Sequence, residues 1–207
     1  MTQLVVITAG LSQPSSTRLL GDRLAEATRR AFSAERRDVD VVHLELRDLA
    51  QDVTNNLLTG FPPPALAAAL EQVTRADGLI AVSPIFSASY SGLFKSFFDV
   101  LDPEALVGKP VLIGATGGSA RHSLALEHAL RPLFSYLRAD VVSTAVYAAS
   151  EDWGTTASGR TGGNRALSER IDRAGSQLAR ALQQAEPVIT VDPFAHPTSF
   201  LDLLGQK

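Results

Sequence analysis

Cysteine is absent from this 207-residue chain, which excludes disulfide bonds, thiolate nucleophiles and metals held by cysteine. An excess of basic residues is missing too: the formal net charge is −3, so no positive field attracts a nucleic acid backbone. The N-terminus lacks the basic start and long apolar stretch of a signal peptide. No apolar run approaches the roughly 18 residues that span a membrane. These absences favour a cytoplasmic protein that binds neither a membrane nor nucleic acid.

Hydrophobic residues make up 45% of the chain, which is enough to bury the core of one compact domain. Apolar runs alternate with helical patterns, and this alternation predicts repeated βα units around a parallel sheet. Five strands are predicted, at Leu4–Thr8, Val39–Leu46, Gly78–Val82, Pro110–Ala115 and Val141–Ala148.

Helical patterns fill the segments that separate and follow these strands. The first helix is indicated by an apolar stripe with spacings of four, three and four residues, at Leu20, Leu24, Ala27 and Ala31. Further helices are predicted at Ala65–Ala76, Gly92–Leu101, His122–Arg138 and Gly163–Ala185, whereas Gln51–Pro64 is interpreted as irregular. Alternating strands and helices predict a three-layer, doubly wound α/β sandwich. Such sheets bind ligands outside the carboxyl ends of their strands, which directs attention to the loops after the first, third and fourth strands.

The loop after the first strand is rich in hydroxyl side chains and opens a helix. Four of them, Ser12, Ser15, Ser16 and Thr17, lie beside the free amides and the positive dipole end of that helix, which favours an anion and above all a phosphate. The alternative is that the hydroxyls only cap the helix. The loop matches neither a Walker A sequence nor Gly-x-Gly-x-x-Gly.

The loops after the third and fourth strands have the composition of a site for a planar heterocycle. Ser83–Gly92 combines two aromatic residues with four hydroxyls, and its alternative interpretation is an ordinary turn with Phe86 in the core. Thr116–Arg121 contains paired glycines, which let the backbone approach a ligand closely; a simple tight turn is the alternative there.

Ionisable residues give no comparable pattern. His122 and His128 are six residues apart on a predicted helix, which is not a metal-ligand spacing, so we expect no metal site. No Gly-x-Ser-x-Gly elbow is present, so the main sequence signal of a serine hydrolase is missing. We therefore predict no catalytic side chain.

These loops resemble the motifs of the NAD(P)H-dependent FMN reductase family. The phosphate loop of that family reads approximately Gly-Ser-x-Arg-x-x-Ser-x-Asn/Thr and appears here at Gly10–Thr17, with Gln13 in the arginine position. A second family motif, Pro-x-Tyr/Phe followed by Gly-x-Leu/Phe-Lys-x-x-x-Asp, is matched by Pro84, Phe86, Gly92, Phe94, Lys95 and Asp99. Thr116–Ser119 corresponds to the third flavin loop, and the resemblance covers roughly residues 3–185.

The resemblance implies a flavodoxin-like fold, with a five-stranded parallel sheet in the order 2-1-3-4-5, and hydride transfer from NADPH or NADH to FMN, in which the cofactors supply the reactivity. The stretch is most similar to reductases that supply reduced flavin to luciferase-like, flavin-dependent monooxygenases. The implied phosphate contacts are Ser12, Ser15, Ser16 and Thr17. The implied ring contacts are Pro84, Ile85, Phe86, Ser87, Ala88, Tyr90, Ser91, Thr116, Gly117, Gly118 and Ser119.

The resemblance also implies a homodimer or homotetramer with the active site close to a subunit interface. Arg160, in the loop Ser150–Gly163, is a candidate contact for the nucleotide or the next subunit, with a solvated loop charge as the alternative. Residues 1–187 are interpreted as the domain. The apolar tail 188–207 is expected to pack on the domain or on a neighbouring subunit.

Three other functions remain open from the sequence. A flavodoxin-type electron carrier would keep its FMN and show little turnover with nicotinamide nucleotides. A reductase of quinones, azo dyes or metal oxyanions would use the same fold and flavin with a different acceptor. A phosphate-binding domain without a redox role would have no affinity for flavin.

Overall fold

The structure, a computed structural model, describes residues 2–34, 38–154 and 165–185. Arg160 and the segment 188–207, on which two of the sequence predictions fall, lie outside these ranges. Within them, no helix has the length and apolar character needed to cross a membrane.

A parallel sheet forms the centre of the molecule, in the order β2-β1-β3-β5-β6, with β7 also paired to β5. Residues of β1, β3 and β5 are buried along most of their length, as expected for strands covered on both faces. The predicted order 2-1-3-4-5 is confirmed, because β5 is the predicted fourth strand and β6 and β7 together form the fifth. The strands are β1 Thr2–Thr8, β2 Val39–Glu45, β3 Gly78–Phe86, β4 Ser89–Tyr90, β5 Pro110–Gly117, β6 Asp140–Val141 and β7 Val146–Ala149.

Helices cover both faces of this sheet. The helices α1 and α6 pack on one face, around a cluster that includes Leu20, Leu24 and Leu178. The helices α2 to α5 contribute to the cluster on the other face. Their bounds are α1 Ser16–Ala34, α2 Ala50–Thr59, α3 Pro64–Arg75, α4 Gly92–Asp99, α5 Arg131–Tyr136 and α6 Arg165–Gln184.

Two glycines bring α1 unusually close to its neighbours. A Cβ atom added to Gly21 would lie 2.9 Å from the Thr8 methyl group of β1. A Cβ atom added to Gly175 of α6 would lie 2.7 Å from the Cβ atom of Ala27 and 2.8 Å from its backbone carbon. Helix α1 is therefore held tightly between the sheet and α6.

The sequence prediction was wrong for three segments. Gln51–Pro64 was interpreted as irregular, but α2 occupies most of it because Val53 and Asn56 are buried and Gly60 ends the helix in a left-handed conformation (φ 78°). The third strand does not end at Val82: it continues to Phe86 and turns back through a hairpin into β4.

The third wrong segment is the predicted helix His122–Arg138 together with the strand after it. A 3₁₀ turn at Ala120–His122 and a π-helix at Leu126–Leu130 precede the short α5. The predicted strand Val141–Ala148 is interrupted, since only its two ends pair with β5. Local periodicity does not distinguish these helix types.

Candidate functional site

A cavity of about 920 Å³ lies at the carboxyl ends of β1, β3, β5 and β7, where a doubly wound sheet binds its ligands. Its walls come from the three loops selected by sequence and from a fourth segment after β7. The lining residues are Gly10, Leu11, Ser12, Pro14, Ser15, Ser16, Thr17, Leu19, Pro84, Ile85, Phe86, Thr116, Gly117, Gly118, Ser150 and Trp153.

The first loop turns tightly into α1. Ser15 Oγ accepts a hydrogen bond from the backbone nitrogen of Arg18 at 3.1 Å, so this side chain caps the helix as well as lining the cavity. Ser12 Oγ donates to the Pro14 carbonyl at 3.0 Å. A Cβ atom at position 10 would overlap Ser15 Oγ. The loop therefore needs glycine at this position to bring the helix amides to the cavity.

A buried hydrogen bond joins the first loop to the end of β5. The hydroxyls of Thr17 and Thr116 are 2.8 Å apart, and both residues line the cavity although they are only 2% and 4% exposed. Either hydroxyl can donate. When Thr116 donates, the Thr17 proton is available to an anion at the N-terminus of α1.

Arg18, the nearest full charge in the sequence, is held away from the cavity. Its guanidinium pairs with Asp22 and with Glu45, each at 2.7 Å. Burial alone would lower the pKa of Arg18, but these two carboxylates outweigh that effect and raise it. Arg18 is therefore a member of an ion-pair cluster and does not line the cavity.

Arg47, which follows β2, is the cation that contacts the first loop. Its Nη1 atom lies 3.4 Å from the carbonyl oxygen of Ser12. With the Gln13 amide turned so that its oxygen faces Arg47, Gln13 accepts a hydrogen bond from the same nitrogen at 2.8 Å. Arg47 therefore places a positive charge next to Gln13, the residue that stands where the phosphate-loop motif of the FMN reductases has arginine.

The apolar wall of the cavity is formed by Pro84, Ile85 and Phe86 at the end of β3. Phe86 is 47% exposed, so the alternative in which it packs into the core is wrong. Leu11, on the first loop, is 57% exposed at the same cavity. Apolar surface exposed around a concavity is typical of a ligand site.

Gly117 at the end of β5 and Gly118 after it line the cavity next to the end of β3, because Thr116 pairs with Pro84. The Tyr147 hydroxyl donates to the Ser119 carbonyl at 2.8 Å, and a Cβ atom at Gly117 would overlap this hydroxyl. Around Gly118 there is open space. The backbone of this loop is therefore held in place by Tyr147.

Five predicted ring contacts do not line the cavity. Ser87 and Ala88 form the hairpin turn with positive φ values of 48° and 69°, and the Tyr90 ring packs on the core. Ser91 Oγ caps α4 by accepting a hydrogen bond from the Phe94 nitrogen in the first turn of the helix, at 3.1 Å. Ser119 contributes its carbonyl to the contact with Tyr147.

Ser150 and Trp153, in the segment after β7, line the cavity, but sequence analysis selected neither of them and named only Arg160 in the loop Ser150–Gly163. The segment forms a 3₁₀ turn, Ser150–Trp153. The rule that selected the other loops, a position directly after a parallel strand, applies to it equally. Leu19 was missed as well, because it belongs to the first turn of α1 and not to a loop.

The lining suggests recognition of a planar molecule with an anionic end. Hydroxyls and helix amides occupy one end, and apolar and aromatic side chains form the walls. Among the described residues that line this cavity, none has an ionisable side chain. The described residues of this lining fit a flavin nucleotide.

Sequence comparison gives a family match. The sequence model of the NADPH-dependent FMN reductase family matches residues 2–154. A protein of Pseudomonas aeruginosa named FMN reductase (NADPH) is 37% identical over 151 residues, which are 73% of this chain and 78% of that protein. The NADH-dependent FMN reductase SfnF of Pseudomonas putida is 36% identical over 149 residues, 72% of this chain and 78% of that protein.

Solved structures show the same architecture. An oxidoreductase from Corynebacterium diphtheriae aligns with a TM-score of 0.83 and 45% identity, over 90% of this chain and 99% of that one. The apo form of the NADH:FMN oxidoreductase EMOB aligns with a TM-score of 0.75 and 28% identity, over 90% of this chain and 92% of that one.

Proposed function

The chain belongs to the NADPH-dependent FMN reductase family, and on this basis we propose that it reduces FMN with a nicotinamide nucleotide in the cavity at the carboxyl ends of its strands. The observation that carries the proposal is the lining of that cavity, which joins a helix N-terminus and hydroxyls to apolar walls. FMN, when bound, supplies the hydride acceptor. The protein then has to bind and orient two nucleotides.

Phosphate binding is assigned to the end formed by Ser12, Ser15, Ser16 and Thr17. The support is geometric: Ser16 begins α1, so amides of its first turn have no partner within the helix, and Thr17 has a proton to give. Neutral donors and amides suit a phosphate that must stay bound while the attached ring changes charge.

Ring binding is assigned to Pro84, Ile85 and Phe86 at the end of β3 and to Thr116, Gly117 and Gly118 at the end of the neighbouring β5. These six residues exclude water from the ring and hold it at a fixed angle to the incoming nucleotide, which is how a protein accelerates a transfer between two cofactors. Ser87 and Ala88 form the hairpin turn that follows Phe86, and Ser119 accepts the hydrogen bond from Tyr147.

Steady-state oxidation of NADPH and NADH, with and without added FMN, tests the proposal. We expect FMN-dependent turnover with at least one nucleotide. Protein that holds FMN but turns over neither nucleotide would identify an electron carrier instead. A higher kcat/KM with a benzoquinone than with FMN would identify a reductase of other acceptors.

Membership of this family also supports predictions about the partner enzyme, the oligomeric state and the cellular location. We propose that reduced FMN is passed to a flavin-dependent monooxygenase and that the chain assembles as a homodimer or homotetramer in the cytoplasm. Light scattering of the purified protein tests the assembly. Restoration of monooxygenase turnover by this reductase tests the supply of flavin. The nucleotide preference, NADPH or NADH, follows from the ratio of the two kcat/KM values.

A further inference from the structure

Trp153 occupies a fixed position at the edge of the cavity. Its turn follows β7, and Asp152 Oδ2 accepts a hydrogen bond from the Ala149 nitrogen at 2.9 Å, which closes the start of the turn. Arg170 of α6 donates to the same carboxylate oxygen at 3.4 Å and to the Tyr147 carbonyl at 3.3 Å. The backbone that carries the indole is therefore anchored to both the sheet and α6.

Arg23 of α1 covers part of the indole. Its guanidinium carbon lies 5.2 Å from the centre of the Trp153 ring, within the range of a cation–π contact. Trp153 lines the cavity, whereas Arg23 does not. The indole also packs on the core cluster that α1 and α6 share, so the contacts with Arg23 and this cluster hold Trp153 in place while it forms part of the cavity wall.

Trp153 lies on a segment that contributes no residue to the walls assigned to FMN. Those walls come from the loops after β1, β3 and β5, while Trp153 belongs to a fourth segment, after β7. The cavity volume of about 920 Å³ lies near the top of the range for single-ligand pockets, roughly 300–1,000 Å³. Hydride transfer needs two nucleotides in this space at once.

We propose that Trp153 stacks on an aromatic base of the nicotinamide nucleotide and sets the affinity for that substrate. This role rests on the proposed reductase function. Indole is a large, rigid surface with an extended π-system, and nucleotide bases stack on such surfaces without needing specific hydrogen bonds. Arg23 and the anchored turn keep the indole in place before the substrate arrives.

Kinetics of two substitutions separate stacking from packing. Trp153→Leu keeps apolar bulk without an aromatic face, and Trp153→Phe keeps a ring. At saturating FMN, we expect Trp153→Leu to raise the KM for the preferred nucleotide by about 5- to 150-fold, the range for a lost base stack, with kcat and the FMN Kd nearly unchanged. Trp153→Phe retains most of the affinity. Phe61→Ala, at a residue 79% exposed between α2 and α3, is the matched control and leaves all three values unchanged.

Three kinetic results would overturn the proposal. An unchanged nucleotide KM in Trp153→Leu removes the stacking role. An equal loss in Trp153→Phe and Trp153→Leu means that only indole packing matters. A parallel rise in the FMN Kd assigns Trp153 to the flavin instead.

Tryptophan fluorescence tests the contact between Trp153 and the nucleotide independently of turnover, because Trp153 is the one tryptophan of the chain. We expect saturable quenching of its emission when NAD⁺ or NADP⁺, which cannot donate hydride, is added to the FMN-loaded protein. Unchanged emission with a nucleotide that inhibits turnover would overturn the stacking role and leave the reductase function intact. Absence of both turnover and nucleotide binding would refute the reductase function itself.

Discussion

The hydrogen bond between Thr17 and Thr116 gives a sharp test of where the flavin phosphate binds. Thr17→Val keeps the shape of the side chain and removes its hydroxyl, including the proton assigned to the phosphate. Thr116→Val removes the same 2.8 Å hydrogen bond from the other side. The two variants therefore lose one shared interaction, but only Thr17→Val loses a phosphate donor.

Two magnitudes follow from this geometry. Each variant leaves one hydroxyl of a nearly buried pair without its partner, which costs about 1–3 kcal/mol of the free energy of unfolding. A hydrogen bond to a charged group contributes about 1.5–3 kcal/mol. Loss of the Thr17 donor should therefore weaken FMN binding by about 10- to 150-fold. Riboflavin has no phosphate, so its affinity should not change in Thr17→Val.

The assay is titration of flavin fluorescence with FMN and riboflavin, accompanied by chemical denaturation of each variant. We expect Thr17→Val to lower the ratio of FMN to riboflavin affinity, and Thr116→Val to shift both affinities together. Thr28→Val is the control: Thr28 is fully buried in α1, donates to the Leu24 carbonyl at 2.9 Å and does not line the cavity. An unchanged affinity ratio in Thr17→Val would show that the phosphate does not bind at the N-terminus of α1.

Two further predictions concern other parts of the structure. Gly117→Ala should weaken FMN and riboflavin binding alike by displacing the Tyr147 hydroxyl, whereas Gly92→Ala, at a position that meets open space and does not line the cavity, should leave both unchanged; equal effects of the two variants in flavin titration would contradict this. Burial lowers the pKa of Lys109, which donates to the carbonyls of Val73 and Thr74 at 2.7 and 2.8 Å, to about 8. The lysine of the unfolded chain stays protonated to about pH 10, so the unfolded state binds more protons between these pH values and the free energy of unfolding rises with pH there. Denaturation of Lys109→Met should lack this rise, and an identical pH profile would refute the assignment.

The fold was predictable because the strands that form its centre are buried on both faces. Each of these strands is a near-continuous apolar run, such as Leu4–Thr8, so it can be identified from its own sequence without knowledge of the strands beside it. The helix α2 escaped prediction because its inward face includes the polar residue Asn56, so its apolar stripe is short. The hairpin after β3 was not predicted because Ser87 and Ala88 adopt left-handed conformations, whereas the usual sequence signal of such a turn is a glycine.

The site was predictable to the extent that topology determines it. Loops after parallel strands had to meet at one edge of the sheet, and ten of the fifteen predicted contacts line one cavity. The remaining features depend on long-range contacts that spacing cannot reveal. Arg47 reaches the loop around Gln13 from 34 positions away, and Trp153 joins the cavity only because β7 lies beside β5.

The tight seating of α1 limits how this cavity can change. Gly21 lies directly against side-chain methyl groups of β1, and Gly175 of α6 lies directly against the backbone of α1, so the helix cannot slide without a collision on one side or the other. Redesign for a bulkier ligand therefore has to leave the anion-binding corner alone. New space is more easily found at the exposed rim, at Leu11, whose side chain is more than half exposed.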